Sequence, residues 1–519
     1  MRKITGIIAL LLCFSGAAAQ VAEPSDSLEL IHQTSDAKFY KYNYPSRSAN
    51  GEDVVLSSLL VAWQPKKPVV TDSIESLHIF SHYTIAADRE CPTSSSNTTE
   101  RTLFGMLAKG KYGLGLTPAY NFISRCVIIA PDYEGYGVSK DRPHPYLSER
   151  LTAQQVVDGV EYGLGLYQKH VNDERALAFR SDWRSFSFGY SQGGAVALAV
   201  HRHIEENGLS DELRFRGSIC GDGPYDLIET LRYYLTDDGT SYDASTEHRQ
   251  GMATLPAVEP MIIKGMLDTH PDMQGHTIED YLSQQFLDTG IMDWIASKEL
   301  TTGDMSNRWY QQLQAGLDAN GRHYTPQQMA ELFYSPSGNS VWAKLDKLFT
   351  PEFYAYIMDN ANFGNAGPAS DTAETPQLQA FLDLHRALAD NNLCLGWKPQ
   401  HRIQFVHSRG DTVVPFGNWL SFRDAHLDDE GEYFRIDDSL SPIDHVEVGT
   451  RFFINLVSGS CGEVFAWLDA SPDPTALEPV FAESRTAAPD WFTLDGRRLS
   501  ARPKAKGIYI HGGRKVLVK

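Results

Sequence analysis

Phe188-Gly189-Tyr190-Ser191-Gln192-Gly193-Gly194 is the stretch of this 519-residue chain whose residue types and spacing could do chemistry at a defined place. It carries the G-x-S-x-G pattern, in which a serine sits on a sharp bend between a strand and a helix with its hydroxyl exposed at the end of a sheet. The flanks suit such a bend. Trp183 to Phe188 alternates bulky and small residues as a strand does, and Ala195 to Glu206 runs without proline to Gly208, where a helix would end. Glycine at 189 and 193 lets strand and helix pass closely. A serine hydroxyl is a poor nucleophile at neutral pH, so the motif calls for a base and a carboxylate that orients it.

With this elbow the acid and then the histidine follow the serine in chain order. Ile403 to Ser408 is a short apolar strand candidate, and the turn Arg409-Gly410-Asp411-Thr412-Val413-Val414-Pro415 presents Asp411 at its end. Glu432 to Ile436 predicts another strand, after which Ser441-Pro442-Ile443-Asp444-His445 leads into the amphipathic run Val446 to Leu456. The expectation is therefore Ser191 as nucleophile, His445 as general base and then acid, and Asp411 as the group fixing the imidazole tautomer. Asp437 and Asp438 are the alternative acids, and Asp444 reads as a helix N-cap. His407 reads as a hydrogen-bonded core histidine and His426, in a charged helical stretch, as solvent-facing. Two backbone donors must face the developing oxyanion. The Gln192 amide is one, and the second falls between Thr84 and Asp88, after the predicted strand Leu77 to Tyr83.

Four motifs together resemble one family. Ser81-His82-Tyr83-Thr84 with Cys91-Pro92-Thr93-Ser94, Ile129-Ala130-Pro131-Asp132-Tyr133-Glu134-Gly135-Tyr136-Gly137, Gly189 to Gly194, and Gly410-Asp411-Thr412-Val413-Val414-Pro415 are similar to the secretory lipase family. That family holds the yeast lipase A type and bacterial α/β-hydrolase relatives, and the similarity runs from about Tyr40 to Phe465. The resemblance implies a triad at Ser191, Asp411 and His445, matching the reading from the residues. Its second oxyanion group lies in a longer loop, so Thr84, Ala87 and Asp88 all stay open.

Length and composition agree with an enzyme of this kind. The chain exceeds one ordinary domain, so an insertion or appended module is expected. Hydrophobic residues make up 42%, enough for a full core, and the formal charge of −20 argues against nucleic-acid partners. Met1-Arg2-Lys3, the apolar run Ile4 to Phe14 and Ala17-Ala18-Ala19 read as a signal peptide over 1–19, and no segment is apolar enough to predict a membrane span. Five cysteines follow it, matching no zinc pattern. Cys394 and Cys461, which flank the Asp411 to His445 segment, are the expected disulfide, and Cys220 reads as a small buried apolar residue.

The predicted organisation is an α/β-hydrolase fold with a central, mostly parallel sheet. Residues 20–221 and 393–484 form its two parts, and 222–392 form an inserted helical cap. Helical periodicity there covers Asp226 to Leu235, Pro260 to Thr269, Thr277 to Leu287, Pro326 to Tyr334 and Thr375 to Ala389. Met261, Ile262, Ile263, Met266 and Leu267 make its most apolar patch and read as ordinary helix core. Residues 485–519 carry nine Lys or Arg against two Asp and predict short strands and a hairpin. This tail resembles the C-terminal sorting tails of type IX-secreted bacterial proteins, which implies recognition by secretion machinery and a cell-surface or extracellular location in a bacterium with an outer membrane. The function expected is cleavage of small-molecule carboxylic esters through an acyl-enzyme, without metal or organic cofactor. A serine peptidase on short peptides is the second reading; its substrate amine would need an acidic anchor, with Glu134, Asp222 and Asp226 as candidates. The third is an inactive surface binding protein.

Overall fold

The computed structural model describes residues 22–109, 125–242, 248–315, 324–336, 340–359, 374–458 and 462–470, and in the tail 491–492, 498–499, 503–504, 506–511 and 514–518. The expected signal peptide and Cys461 lie outside them. In chain order the first elements are β1 (Glu29–Gln33), β2 (Ala37–Arg47), β3 (Asp53–Trp63), β4 (Ile74–Ser81), α1 (Thr98–Lys109), β5 (Cys126–Pro131), α2 (Glu149–Asn172), β6 (Phe179–Tyr190), α3 (Gln192–Glu206) and β7 (Phe215–Gly221). A long segment follows, with α4 (Leu227–Thr236), β8 (Met252–Ala253), α5 (Val258–Thr269), α6 (Gln284–Leu287), α7 (Ile291–Ser297), α8 (Thr302–Ala315), α9 (Pro326–Leu332), β9 (Phe333–Tyr334), β10 (Trp342–Lys344), α10 (Leu345–Leu348), α11 (Pro351–Asp359) and α12 (Pro376–Asp390). The chain then returns to the sheet through β11 (Arg402–Val406), α13 (Gly417–Ala425), β12 (Phe434–Asp437), α14 (His445–Ser458) and α15 (Gly462–Asp469).

Nine strands form one sheet in the order β1-β2-β3-β5-β4-β6-β7-β11-β12. The pairs from β5 to β12 are parallel and those on the β1 side antiparallel. Alternation assigns the faces. Ser187 Oγ donates to Ala197 O of α3, whereas Phe186 and His78 meet Phe465 of α15 edge to face, and Phe80 packs against Phe453 of α14. Helices therefore cover both faces, and α3, packed between sheet and α2, buries nearly every residue. Parallel strands also align their ends: Tyr190 pairs with Gly221, Gly221 with Val406, and Val406 with Asp437. The residues after these four positions emerge along one edge, where open α/β sheets place their sites.

Between β7 and β11, α4 to α12 bury a second apolar cluster around Trp294, Trp309, Phe286, Tyr281 and Phe353, distinct from that of the sheet. Of the periodic runs expected there, Thr277 to Leu287 is broken into a short 3₁₀ turn and α6, and the run ending at Tyr334 turns into β9 of a small sheet ordered β8-β10-β9. Lys298, at the end of α7, holds this segment to the loop after β5. Its Nζ donates to the carbonyls of Gly135, Lys140 and Arg142, and burial lowers its pKa to about 8. The tail, residues 471–519, is a separate compact unit in which β13 (Trp491–Phe492), β14 (Arg498–Leu499), β15 (Gly507–His511) and β16 (Arg514–Val518) pair antiparallel in the order β14-β13-β15-β16.

Two expectations are corrected. Cys394 is a free, buried thiol whose Sγ lies 3.7 Å from Tyr225 O, so it does not form the expected bridge. His426 is buried, with Nε2 2.9 Å from Cys394 O, because the helix carrying it packs its ring on Phe422. Cys220 is buried as expected. Behind α3, Glu205 accepts from His201 Nε2, His401 Nδ1 and the amides of Gln400 and His401; although burial opposes it, this set pulls its carboxyl down to about 2.

Glu149, the first residue of α2, is buried with neither carboxyl oxygen bonded among the described residues, and burial pushes it up to about 8. A raised folded pKa contributes stability that is complete below the unfolded value, about 4.3, and is lost as pH rises toward 8. Glu149→Gln lacks this titration. Its melting temperature relative to the parent should climb between pH 4.5 and 8 and stay level below, as thermal unfolding at stepped pH would show.

Candidate active site

The site begins with how β4, β6 and α3 cross. Ser81 pairs with Gly189, and α3 starts two residues beyond Tyr190. A Cβ on Gly193 would lie 2.1 Å from Ser81 O, and one on Gly189 2.1 Å from Gly193 O. Ser191, between them, has φ 59° and ψ −126°. A non-glycine residue there costs on the order of 1–3 kcal/mol and persists only where its surroundings hold it. Here its amide donates to Gly221 O, while its own carbonyl accepts from Gly194 and Ala195.

The loops after β11 and β12 meet at this serine. Ser191 Oγ donates to His445 Nε2 at 2.9 Å, and His445 Nδ1 donates to Asp411 Oδ2 at 2.5 Å. Asp411 Oδ1 accepts from the amides of Val413 and Val414, both at 2.8 Å, which fixes the carboxylate within its own turn. Asp444 caps α14 by accepting from Val446 and Glu447. The alternative acids are engaged elsewhere: Asp437 accepts from Ser439 N and Asp438 pairs with Arg409. Strand spacing explains this, since β12 is three strands from β6, about 14 Å, and β11 only two. His407 is buried and bonds Val414 O, with burial lowering its pKa to about 4.

A second buried carboxyl, Asp222, lies beside this chain. Tyr190 Oη is 2.5 Å from His445 O and 2.7 Å from Asp222 Oδ2. A phenol has one hydrogen and a carbonyl only accepts, so Asp222 supplies the other hydrogen and is the neutral acid. Burial, and then the Asp411 charge, push Asp222 in that direction. The sequence offered a hint in Gly221 and Gly449, where a Cβ would lie 2.8 and 2.6 Å from the Tyr190 ring.

The three loop positions offered for the second oxyanion donor differ. The Ala87 amide donates to Glu90 Oε2 and the Asp88 amide to Lys298 O, so both are occupied. The Thr84 amide has no partner among the described residues, and Thr84 lines the same cavity as Ser191 and Gln192. Gln192 opens α3, so its amide has no carbonyl a turn earlier to reach. Its Nε2 donates to Nε2 of His144, an imidazole kept neutral by burial, which lowers its pKa to about 3. Asp132 holds the loop in place by accepting from Ser57 Oγ, Thr93 N and Thr93 Oγ1.

From Ser191 a cavity of about 90 Å³ runs under α4, α5 and α12, walled by Leu227, Leu231, Leu255, Ile262, Ile263 and Leu388. The apolar patch of α5 thus divides, with Met261 and Met266 in the core, Ile263 in the core and on the cavity wall, and the half-buried Ile262 on the cavity. A smaller cavity of about 40 Å³ shares Leu231, Phe353, Leu384 and Leu388 as walls. Glu134, Asp222 and Asp226 are not on the main wall: Glu134 pairs with Arg142 and Gln155, and Asp226 caps α4. Chemically, the site offers a hydroxyl within reach of a base, two amides near it, and an apolar slot.

If Asp411 sets the imidazole tautomer, Asp411→Asn should cut ester turnover by about 10⁴, the scale seen when such a carboxylate is neutralised. Asp437→Asn and Asp438→Asn should each change it less than threefold by steady-state kinetics.

No family model matches the chain, and no curated protein matches it. Solved structures do. The rice cell wall degrading esterase LipA from Xanthomonas oryzae aligns over 83% of this chain and 91% of its own at 19% identity, with TM-score 0.54. A candidate hydrolase from Legionella pneumophila aligns over 86% and 92% at 17% identity, with TM-score 0.53. With the strand order and the strand–serine–helix bend already described, this likeness establishes that the chain has the α/β-hydrolase fold.

Proposed function

We propose that the protein is a serine hydrolase of carboxylic esters, akin to the secretory lipases. The hydrogen-bonded chain Ser191–His445–Asp411 at the mouth of an apolar cavity carries this reading. Ser191 Oγ attacks the ester carbonyl carbon as its proton passes to His445 Nε2, and the carbonyl electrons move onto oxygen between the amides of Gln192 and Thr84. Collapse breaks the carbon–alkoxide bond, and His445 returns the proton to the leaving alcohol. A water deprotonated by His445 then attacks the acyl-enzyme, releasing the acid and restoring Ser191. These steps need no electron acceptor and no metal.

An ester is favoured over a peptide because the acids proposed to anchor an amine are tied into the fold and off the cavity wall. The helical segment between β7 and β11 serves as the cap that shapes the slot. We place the protein outside the cell, exported by its N-terminal segment and sorted by its basic tail. No helix among the described residues is long and apolar enough to cross a membrane.

A fluorophosphonate probe should label Ser191 and no other serine. Ser191→Ala should abolish labelling and lower kcat on p-nitrophenyl esters by about 10⁶ without moving the melting temperature. Labelling elsewhere, or turnover of aminoacyl p-nitroanilides above that of esters, would overturn the reading.

A further inference from the structure

The Ser191 cavity is apolar except at a few points, and nearly all of those are internally satisfied. Thr84 Oγ1 bonds Tyr146 Oη, Thr230 Oγ1 bonds Asp226 O, and Tyr234 Oη donates to Val413 O. Two side-chain oxygens on the wall lack a partner among the described residues: Gln192 Oε1, next to Ser191, and Glu259 Oε2. Among the described residues, Glu259 is the one ionisable side chain on that wall apart from the tyrosines. It lies in the first turn of α5, the helix that also lends the cavity Ile262 and Ile263.

Glu259 is half-buried and its own amide serves the carboxyl, yet Oε2 is enclosed and unbonded among the described residues, which is costly in a slot that a leucine would fill more favourably. Its placement makes sense if the ligand completes it. We propose that Glu259 is a specificity-determining residue, selecting esters whose buried chain carries a hydroxyl group. The inference rests on the ester-hydrolase reading above.

The choice of a hydroxyl follows from the carboxyl's state. Burial pushes Glu259 up to about 8, so near neutral pH it presents both an O–H donor and a carbonyl acceptor. A hydroxyl is the smallest neutral group that can answer both at once. An ammonium would need the carboxylate, which this apolar wall disfavours, and a plain alkyl chain would leave the orphan atom as it is. Such discrimination is stronger than that of an apolar slot alone, because the wrong chain leaves a buried polar group unpaired.

The test compares kcat/KM for p-nitrophenyl esters of plain acyl chains with the same chains hydroxylated at successive carbons. A parallel arm uses acetates of plain and hydroxylated alcohols, and so tells whether the buried chain is acyl or alcohol. At one hydroxyl position the parent should prefer the hydroxylated ester at least tenfold. Glu259→Leu should lose that preference and hydrolyse plain chains faster, and Glu259→Gln, which keeps a donor and an acceptor, should retain part of it. An equal ratio in all three proteins, or a preference for amino-bearing chains, overturns the inference while leaving the hydrolase standing. Failure of every ester in the parent removes the hydrolase reading and this inference with it.

Discussion

The carbonyl oxygen of Ser81 leaves no room for a side chain at position 193, and from that contact much of the site follows. Neighbouring strands stand about 4.8 Å apart, so a helix leaving the end of β6 can dip beside β4 only if its first turn is bare backbone. Gly193 provides the bare turn and Gly189 the bare strand, so Ser191 is forced into the bend between them. The same approach brings the first amide of α3 close to the loop that continues from β4. Ser191, Gln192 and Thr84 therefore line one cavity through a single backbone crossing.

Charge is divided just as strictly. Asp222 directly follows β7 and Asp411 lies in the turn after the neighbouring β11, both are buried, and two ionised carboxylates so placed repel each other. The hydrogen bonds resolve the conflict unequally. Asp411 receives two amides and the imidazole, whereas Asp222 receives the Ser408 amide and meets Tyr190. The proton belongs on Asp222, and the two acids take different tasks. One orients the His445 ring, and the other, through Tyr190, steadies the peptide that carries it.

The elements near the serine were legible because their signals are local. A glycine pair around Ser191, a turn after Ile403 to Ser408 and a loop before an amphipathic run name positions without any tertiary knowledge, and Ser191, Asp411 and His445 do come together. What escaped is decided at long range. His426 looked solvent-facing in a charged run, yet its ring lies on Phe422 with Cys394 O as partner. Cys394 looked paired on spacing alone. The run from Thr277 to Leu287 has helical periodicity, but its residues divide between a 3₁₀ turn and four residues of helix, since Leu282 between them bridges to Phe349. Ala87 and Asp88 could not be separated from Thr84 until the partners Glu90 and Lys298 were in view.

On the proposed reading, chemistry and selectivity rest on different parts of the chain. The reacting groups hang from a sheet whose register is fixed by nine paired strands, so little in them can drift. About half of the cavity wall comes from α4, α5 and α12, which share a core of their own, and Tyr234 of α4 and Thr254, ahead of α5, meet the acid loop. A change in those helices can alter which chain fits without touching Ser191, His445 or Asp411. Amphipathic periodicity separates an inward face from an outward one, but not a residue facing the core from one facing a ligand. Met261 and Ile262 stand side by side in one apolar run, the first packed inside and the second on the cavity. Glu259 in the same helix would pass for an ordinary first-turn acid stabilised by the helix dipole. What sets it apart is the wall around it, which leaves its Oε2 without a partner among the described residues.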